Sequence, residues 1–399
     1  MRRREFIKLS SLLGAGAATS PAFLLGGCAA KSLPGTGTVT ATPTICDICF
    51  WKCAGQVYTE DGELWKITGN ADDLHSGGRL CTRGTGGPGA YLDRDRLKKP
   101  LMRRTVDGRQ TFVEVEWDEA LDFVADRMKS IAATHGPAKL VMLNHGAGSS
   151  HFRHLLRAYG SDSRAEPAFA QCRGPRDVGF RLTFGESASS PERTDMANAR
   201  CIVLIGSHIG ENLHNGQVQT LAEALNRDVT LITVDPRFSV PAGKSKHWLP
   251  IKPGTDMALL LSWMHVLIEE DLYDKDYVER YTVGFEQLAD HVRAYTPEWV
   301  YLETGIRPEV IRETAREMAK AAPATIVHPG RHATWYGDDT QRSRAIAMLN
   351  ALLGSWNRKG GFYIPESVDL PDYPLPAYPE PEHRTADAYP GKWPFASQG

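Results

Sequence analysis

Apolar and polar residues follow one another in two alternating patterns through the middle of the chain. Apolar positions spaced by three and four predict a helix that begins at Asp118 and ends before Gly136 and Pro137. The same spacing predicts further helices within residues 218–225, 257–270 and 311–322, and short apolar runs predict strands at residues 140–143, 201–205, 229–234 and 324–327. Strands that alternate with helices are typical of a parallel sheet covered on both faces. The predicted fold class is therefore α/β, with doubly wound, Rossmann-like domains.

A different pattern precedes this region. Residues 55–58 and 64–67 are β-like and flank the turn at Asp61 and Gly62, which predicts a hairpin in a small β-rich domain. The glycine-rich residues 84–89 are interpreted as turns beside that domain. The predicted boundaries are a signal at residues 1–28, a linker at 29–43, the small domain at 44–102, the α/β domains at 103–363, and a Pro-rich segment at 364–399.

Ligands of parallel sheets bind at the carboxyl ends of the strands, so the loops after the predicted strands are the expected ligand-binding loops. These loops are residues 144–151, 206–217, 235–256 and 328–339. Glycine allows close approach of a nucleotide, a carboxylate can bind its ribose or guanine, and arginine can bind its phosphate. No complete G-x-G-x-x-G is present, which weakens simple dinucleotide binding. The predicted cofactor-binding residues in these loops are Gly206, Asn212, Asp235, Arg237, Gly254 and Asp256.

Four cysteines have the spacing of a metal cluster: Cys46, Cys49, Cys53 and Cys81 form C-x2-C-x3-C-x27-C. Four thiolates are the ligand set of a [4Fe–4S] cluster. Structural zinc is an alternative, although zinc ribbons usually pair two C-x2-C knuckles, and disulfides are another in an exported protein. Arg83 follows closely and is a candidate bridge from the cluster to a second redox group, with an ordinary surface arginine as the alternative.

The N-terminus and the composition narrow the function classes. Two adjacent arginines within residues 2–4, followed by Phe6, Ile7 and Lys8, fit a twin-arginine export signal. Small residues before Cys28 resemble a lipoprotein cleavage site, with an ordinary cleavage site as the alternative. The chain has 399 residues, 42% hydrophobic and 24% charged, which excludes a disordered chain or a collagen. A net charge of −2 gives no global indication of nucleic acid as a partner.

The order of these features resembles the molybdopterin oxidoreductase family, of which dimethyl sulfoxide reductase is the eponym. The resemblance rests on the export signal, the cysteine pattern followed by Thr82-Arg83-Gly84, and residues 93–97 and 117–121. Residues 235–237 and 253–256 look like the family's cofactor-binding turns. The resemblance spans roughly residues 44–363 and implies a [4Fe–4S] cluster and a molybdenum ion held by two molybdopterin guanine dinucleotides.

The residue that binds molybdenum separates the branches of this family. The matching position is Cys172, a soft thiolate ligand, with a buried free cysteine as the alternative. Arg173 follows it, whereas formate dehydrogenases typically have histidine there. Residues 274–285, 295–299 and 328–344 look like the polysulfide and thiosulfate reductase branch. Arg331, His332 and His145 are then candidates for a cationic substrate funnel, or else ordinary loop residues.

The resemblance also implies partners and leaves alternatives. Members of this branch receive electrons from a separate iron–sulfur subunit and a membrane quinol-oxidising subunit. The expected location is the periplasm or the outer face of the cytoplasmic membrane. Family members are considerably longer, so the chain is expected to be the N-terminal part of a catalytic subunit. Tetrathionate and arsenate reductases are the alternatives within the family. A non-catalytic cluster-binding fragment and a periplasmic nucleotide-binding protein with a zinc knuckle are alternatives of other classes.

Overall fold

The computed structural model describes residues 37–49, 51–145, 149–165, 172–188, 192–207, 209–210, 215–330 and 337–363. The mixed α/β fold predicted from the sequence is confirmed: a small antiparallel sheet precedes a parallel sheet with helices around it. Within the described ranges, no helix combines the length and the apolar character needed to cross a membrane.

The N-terminal sheet contains three antiparallel strands in the order β1 (Val39–Ile45), β2 (Ala54–Glu60) and β3 (Glu63–Gly69). The predicted hairpin is correct, since Val57 pairs with Ile67 across β2 and β3. The linker predicted at residues 29–43 is wrong at its end, because β1 already begins at Val39 and pairs with β2. The turns predicted at residues 84–89 are instead two short helices, α1 (Thr82–Thr85) and α2 (Gly87–Tyr91).

A second group of elements connects this sheet to the rest of the chain. Strands β4 (Leu101–Val106) and β5 (Arg109–Glu114) form an antiparallel hairpin, and α3 (Trp117–His135) follows where the apolar spacing predicts a helix. The strand predicted at residues 140–143 is shorter, at β6 (Met142–Leu143). It pairs in parallel with β7 (Arg164–Ala165), and α4 (Ser149–Tyr159) lies between them in the chain.

The parallel sheet forms the centre of the remaining chain. Its strands are β8 (Cys201–Ile205), β9 (Thr230–Val234), β10 (His247–Leu249) and β11 (Thr325–Val327), in the spatial order β10-β9-β8-β11. All three strand pairs are parallel, and Ile205 lies opposite Val234. Every residue of β8 is buried, including Cys201, as is typical of a strand in a parallel sheet.

Eight helices of the described chain belong to this parallel-sheet region. They are α5 (Gly174–Phe184), α6 (Asn215–Leu225), α7 (Asp256–Glu269), α8 (Lys275–Tyr281), α9 (Phe285–Val292), α10 (Pro297–Thr304), α11 (Pro308–Ala321) and α12 (Asp339–Leu352).

Helices α5 and α12 approach each other closely, and glycine makes the approach possible. A Cβ atom on Gly179 would lie 2.7 Å from the Ser343 Cβ and 2.7 Å from the Thr340 carbonyl oxygen. Real Cβ atoms do not pack at that distance, so only glycine fits. This contact fixes α5, and with it the turn at Cys172 and Arg173 that immediately precedes the helix.

Candidate functional site

The four cysteines of the predicted cluster site line one cavity of about 320 Å³. The loop between β1 and β2 supplies Cys46, Cys49 and Cys53, and Cys81 lies at the start of α1. The backbone N–H of Cys46 donates to the carbonyl oxygen of Cys53 at 2.8 Å, which closes this loop. Among the described residues, no three Cys, His, Asp or Glu side chains converge on the position of a single metal ion. The cavity instead has room for a larger group.

The parallel-sheet region completes the wall of this cavity through α6. The Asn215 amide donates from Nδ2 to the carbonyl oxygen of Arg79 at 2.8 Å, and its Nδ2 lies 3.9 Å from the Cys53 Sγ. One helical turn later, the Gln219 Nε2 donates to the carbonyl oxygen of Ser76 at 2.6 Å. The cysteine cavity is therefore held by contacts between distant parts of the chain, and α6 connects it to the parallel-sheet region.

Two of the thiols have shifted pKa values of opposite sign. Burial raises the pKa of the Cys53 thiol above its ordinary value. Burial acts in the same direction on Cys81, but hydrogen bonds from the Gly84 and Arg83 backbone N–H groups and from the Arg83 side chain, with its charge, lower the pKa of the Cys81 thiol. Arg83 thus lies at the cysteine cavity, and it favours the thiolate form of Cys81 there.

The carboxyl ends of β8 and β9 bring two of the predicted cofactor residues together. Gly206 follows β8 with a φ of +57°, and no heavy atom of the described residues lies within 4 Å of where a Cβ would stand. The buried Asp235 follows β9 and accepts the Arg237 backbone N–H through Oδ1 at 2.9 Å. This turn leaves the Arg237 side chain at the surface. Open space beside a glycine and a fixed carboxylate suit a nucleotide.

Asp256 joins the same end of the sheet through a residue that sequence reasoning missed. Arg342 of α12 is buried; its Nη2 donates to the Ile205 carbonyl oxygen at 3.4 Å and its Nε lies 3.9 Å from Asp256 Oδ1. Asp256 begins α7, and Gly254, with a φ of +84°, turns the chain just before it. The predicted residue Asn212 lies outside the described residues.

Cys172 lies in a half-buried turn two residues before α5. Behind that turn is a buried ionic network that sequence reasoning also missed. Arg176 donates to Glu192, to Asp177 at 3.1 Å and to the Gly330 carbonyl oxygen at 2.8 Å. The other carboxylate oxygen of Glu192 accepts the Gln217 Nε2 of α6 at 3.0 Å. The network therefore ties the Cys172 turn, α6 and the loop after β11 together.

The loop after β11 contains a second buried group, His328. Its Nδ1 accepts the Gly330 backbone N–H at 3.1 Å, and its side chain is 1% exposed. Burial lowers the pKa of His328 to about 4, with the Glu192 charge opposing the shift and the Arg176 charge assisting it. His328 is therefore neutral near pH 7. Of the predicted funnel residues, His145 is exposed just after β6, and Arg331 and His332 lie outside the described residues.

Comparison with known proteins decides the family. The model of the molybdopterin oxidoreductase family matches residues 96–365, and the model of its Fe4S4 domain matches residues 39–90. The chain belongs to the molybdopterin oxidoreductase family. The resemblance predicted from the sequence is confirmed, and so are the two cofactor classes that it implies, a molybdopterin and a [4Fe–4S] cluster.

Individual relatives place the chain within this family. It is 34% identical to the thiosulfate reductase molybdopterin-containing subunit PhsA of Salmonella typhimurium, over 92% of this chain and 48% of that protein. It is 30% identical to the arsenate respiratory reductase subunit ArrA of a Shewanella strain, over 95% of this chain and 48% of that one. Among solved structures, acetylene hydratase from Pelobacter acetylenicus matches with a TM-score of 0.62 and 27% identity, over 78% of this chain and 43% of that one. The chain spans about half the length of these relatives.

The residues present fit both cofactors of the family. Four thiol side chains surround a cavity with room for a cluster. Gly206 leaves open space at the carboxyl end of the sheet, where nucleotides bind α/β proteins. The Nε2 atom of the buried His328 has no hydrogen-bond partner in the structure as described. A buried donor without an acceptor is costly in a protein alone, and a bound heterocycle would supply the missing acceptor.

Proposed function

We propose that the chain is the N-terminal part of the catalytic subunit of an exported molybdenum reductase that cleaves the sulfur–sulfur bond of thiosulfate or polysulfide. The observation that carries the proposal is the Cys172-Arg173 turn, held by a buried ionic network beside the parallel sheet. The 34% identity to a thiosulfate reductase subunit supports this choice of substrate. It is an oxidoreductase of the molybdopterin family in either case.

The residues that hold the cofactor lie at the ends of several elements. Cys172 would supply a soft thiolate ligand to molybdenum, which two molybdopterin guanine dinucleotides would also hold. Gly206 and Asp235 bind the nucleotide part at the ends of β8 and β9, together with Asn212 and Arg237. Gly254 and Asp256 contribute from the turn before α7. When bound, the molybdenum centre supplies two-electron redox chemistry.

The chain's own side chains attract and orient the substrate. Reduction of thiosulfate consumes two electrons and two protons, breaks the sulfur–sulfur bond and releases hydrogen sulfide and sulfite ions. Arg331, His332 and His145 provide positive charge for the anionic substrate. One charge pair at ~4 Å is worth on the order of 4 kcal/mol at an effective dielectric constant near 20, before desolvation. The Arg173 guanidinium, whose Nε lies 3.5 Å from Asp177 Oδ2, belongs to the residue that follows Cys172 in the chain.

Cys46, Cys49, Cys53 and Cys81 would hold the [4Fe–4S] cluster, which would supply one-electron transfer, and Arg83 at the same cavity would be the bridge toward the pterin. The electrons for the reaction would come from a separate iron–sulfur subunit and a membrane quinol-oxidising subunit. The twin-arginine motif within residues 2–8 takes the protein to the periplasm or the outer face of the membrane. Both cofactors are loaded before export.

Substrate assays on the intact subunit test the proposal. We expect viologen-driven sulfide release from thiosulfate or polysulfide and no arsenate reduction. Cys172→Ser should abolish the release of sulfide, and Cys201→Ala, which alters a buried strand cysteine, should retain it. Arsenate reduction without sulfide release would contradict the proposal in favour of an arsenate reductase. Sulfide release that survives Cys172→Ser would contradict the role of that residue.

A further inference from the structure

His328 is a buried hydrogen-bond donor whose partner is missing from the described chain. The neutral imidazole has one N–H and one acceptor nitrogen. Because Nδ1 accepts the Gly330 backbone N–H at 3.1 Å, the hydrogen is on Nε2. That Nε2 atom is buried, and no acceptor in the described residues reaches it. Leaving such a donor unsatisfied costs free energy, so its retention needs a reason.

The position of His328 indicates that a bound ligand supplies the missing acceptor. Its backbone N–H donates to the Val203 carbonyl oxygen at 2.9 Å, so His328 extends the β11–β8 ladder by one residue at the carboxyl end. Arg342 ends at the same place, with Nη2 on the Ile205 carbonyl oxygen and a buried Nε that also lacks a hydrogen-bond acceptor in the described residues. Two buried N–H donors thus remain unsatisfied at the end of the sheet where ligands bind.

The charged neighbours of His328 favour a neutral acceptor. Glu192 and Arg176 face it, and they bond to each other, while Gln217 takes the second Glu192 oxygen. Their charges are therefore already balanced by local partners. A phosphate placed against Nε2 would add an uncompensated buried charge, whereas a carbonyl oxygen or ring nitrogen would not.

We propose that His328 binds the molybdopterin guanine dinucleotide, with its Nε2–H donating to a carbonyl oxygen or ring nitrogen of a heterocycle of that cofactor. The assignment rests on the proposed function for the presence of the cofactor in this cleft. It does not depend on which substrate is reduced. His328 is a cofactor-binding residue in this assignment, and Gly330 orients it through Nδ1.

Two substitutions of His328 distinguish a cofactor-binding role from a purely structural one. Each keeps only one of the two hydrogen-bonding functions of the imidazole, either the acceptor at Nδ1 or the donor at Nε2. His328→Asn keeps an acceptor for the Gly330 N–H two residues later, but it loses the donor at the position of Nε2. His328→Gln places an amide N–H near the position of Nε2 but loses the bond to Gly330. The chain is made anaerobically in a host that makes the cofactor. Fluorescence of the oxidised pterin gives pterin per chain, and iron per chain reports the separate cluster site.

We expect His328→Asn to lose pterin on the order of threefold to tenfold faster than wild type during gel filtration, and His328→Gln to stay closer to wild type. In chains made without cofactor, the order of melting temperatures should reverse, with Asn above Gln. If pterin retention follows the melting order instead, His328 is a structural residue and the assignment is overturned. A wild-type chain without pterin overturns it as well. If pterin retention follows the expected order but the protein releases no sulfide, only the proposed substrate is contradicted.

Discussion

Helices α3 and α7 are both well patterned in the sequence, yet their surroundings differ completely. α3 (Trp117–His135) has no buried residue, and Leu121 and Val124 of its apolar stripe are more than half exposed. α7 (Asp256–Glu269) buries seven residues, among them Trp263 with 0% exposure. The apolar spacing therefore predicts a helix in both cases, but it does not predict what covers the helix.

The same contrast separates the two regions to which these helices belong. The main hydrophobic core draws its buried residues from positions 180–362 and takes none from the N-terminal region of residues 37–165. The parallel-sheet region is thus stabilised by its own packing. The N-terminal region instead places four thiols around a cavity, at Cys46, Cys49, Cys53 and Cys81. Binding of the metal cluster therefore supplies part of the folding free energy of this region.

Removing a thiol ligand should prevent cluster binding in the N-terminal region and leave the parallel-sheet region folded. Cys53→Ser is expected to lower the iron content from about four per chain to less than about one, because the cluster loses one of its four ligands. The matched control is Cys201→Ala in β8, which removes a fully buried thiol that does not line the cavity. It should keep its iron. Elemental analysis of both anaerobically purified chains decides the matter, and iron retained by Cys53→Ser would refute the cluster assignment.

Acid should weaken the parallel-sheet region through His328. Its folded pKa is about 4 against an ordinary value of 6.5, so the unfolded chain binds more protons between these values. Stability is then complete above pH 6.5 and falls as the pH drops toward 4. At 1.36 kcal/mol per pKa unit, the loss between pH 7.5 and 4.5 is about 2–3 kcal/mol.

Urea unfolding at the two pH values, followed by a probe of the parallel sheet, measures this loss. His328→Gln does not titrate in this range, so the difference between its pH dependence and that of wild type isolates the histidine. Glu192 and Arg176, which face His328, are unchanged in both proteins. Equal pH dependence in the two proteins would mean that His328 is not buried as a neutral side chain.

A methyl group added to a helical glycine should have opposite effects in the two regions. Gly179→Ala places a Cβ 2.7 Å from α12 and should cost about 1–3 kcal/mol by overpacking the α5–α12 contact. The Cβ of Gly89→Ala in α2 meets no atom of the described residues within 4 Å. The substitution should stabilise by up to about 1 kcal/mol, since alanine favours helix. Denaturant midpoints followed by probes in each region test both. A neutral Gly179→Ala would show that the helices can separate without cost.

The buried region also shows where sequence reasoning fails. The four cluster cysteines and the helix at Trp117–His135 follow from local spacing, and both are found. Helix α12 does not, because it is buried between α5, α7 and β11 and hides Arg342, Ser343 and Asn350. A helix enclosed on all sides has no polar stripe, and polar residues that bond inside the core blur its period.

Long-range contacts explain the site residues that were missed. Asn215 is 162 residues away from Cys53, and Arg176 is 154 residues away from the Gly330 carbonyl that it binds. Nothing in their local sequence distinguishes them from ordinary helix residues. The strand before residues 206–217 predicts that this loop binds a ligand. The sequence does not predict the contact between Asn215 in this loop and the Arg79 carbonyl oxygen, because that contact depends on the tertiary fold.

The smallest effect concerns helix ends, where α10 and α3 differ. The Thr296 side chain caps α10 by accepting the Trp299 backbone N–H at 3.3 Å, whereas Glu116 makes no such side-chain cap at α3. Thr296→Ala should therefore cost about 0.5–2 kcal/mol, and Thr296→Ser, which keeps the hydroxyl, should cost much less. Urea unfolding of the three proteins measures the difference. Equal losses for Ala and Ser would mean that the threonine methyl, not the cap, stabilises this end. Equal stability of all three would mean that α10, like α3, gains no stability from a side-chain cap.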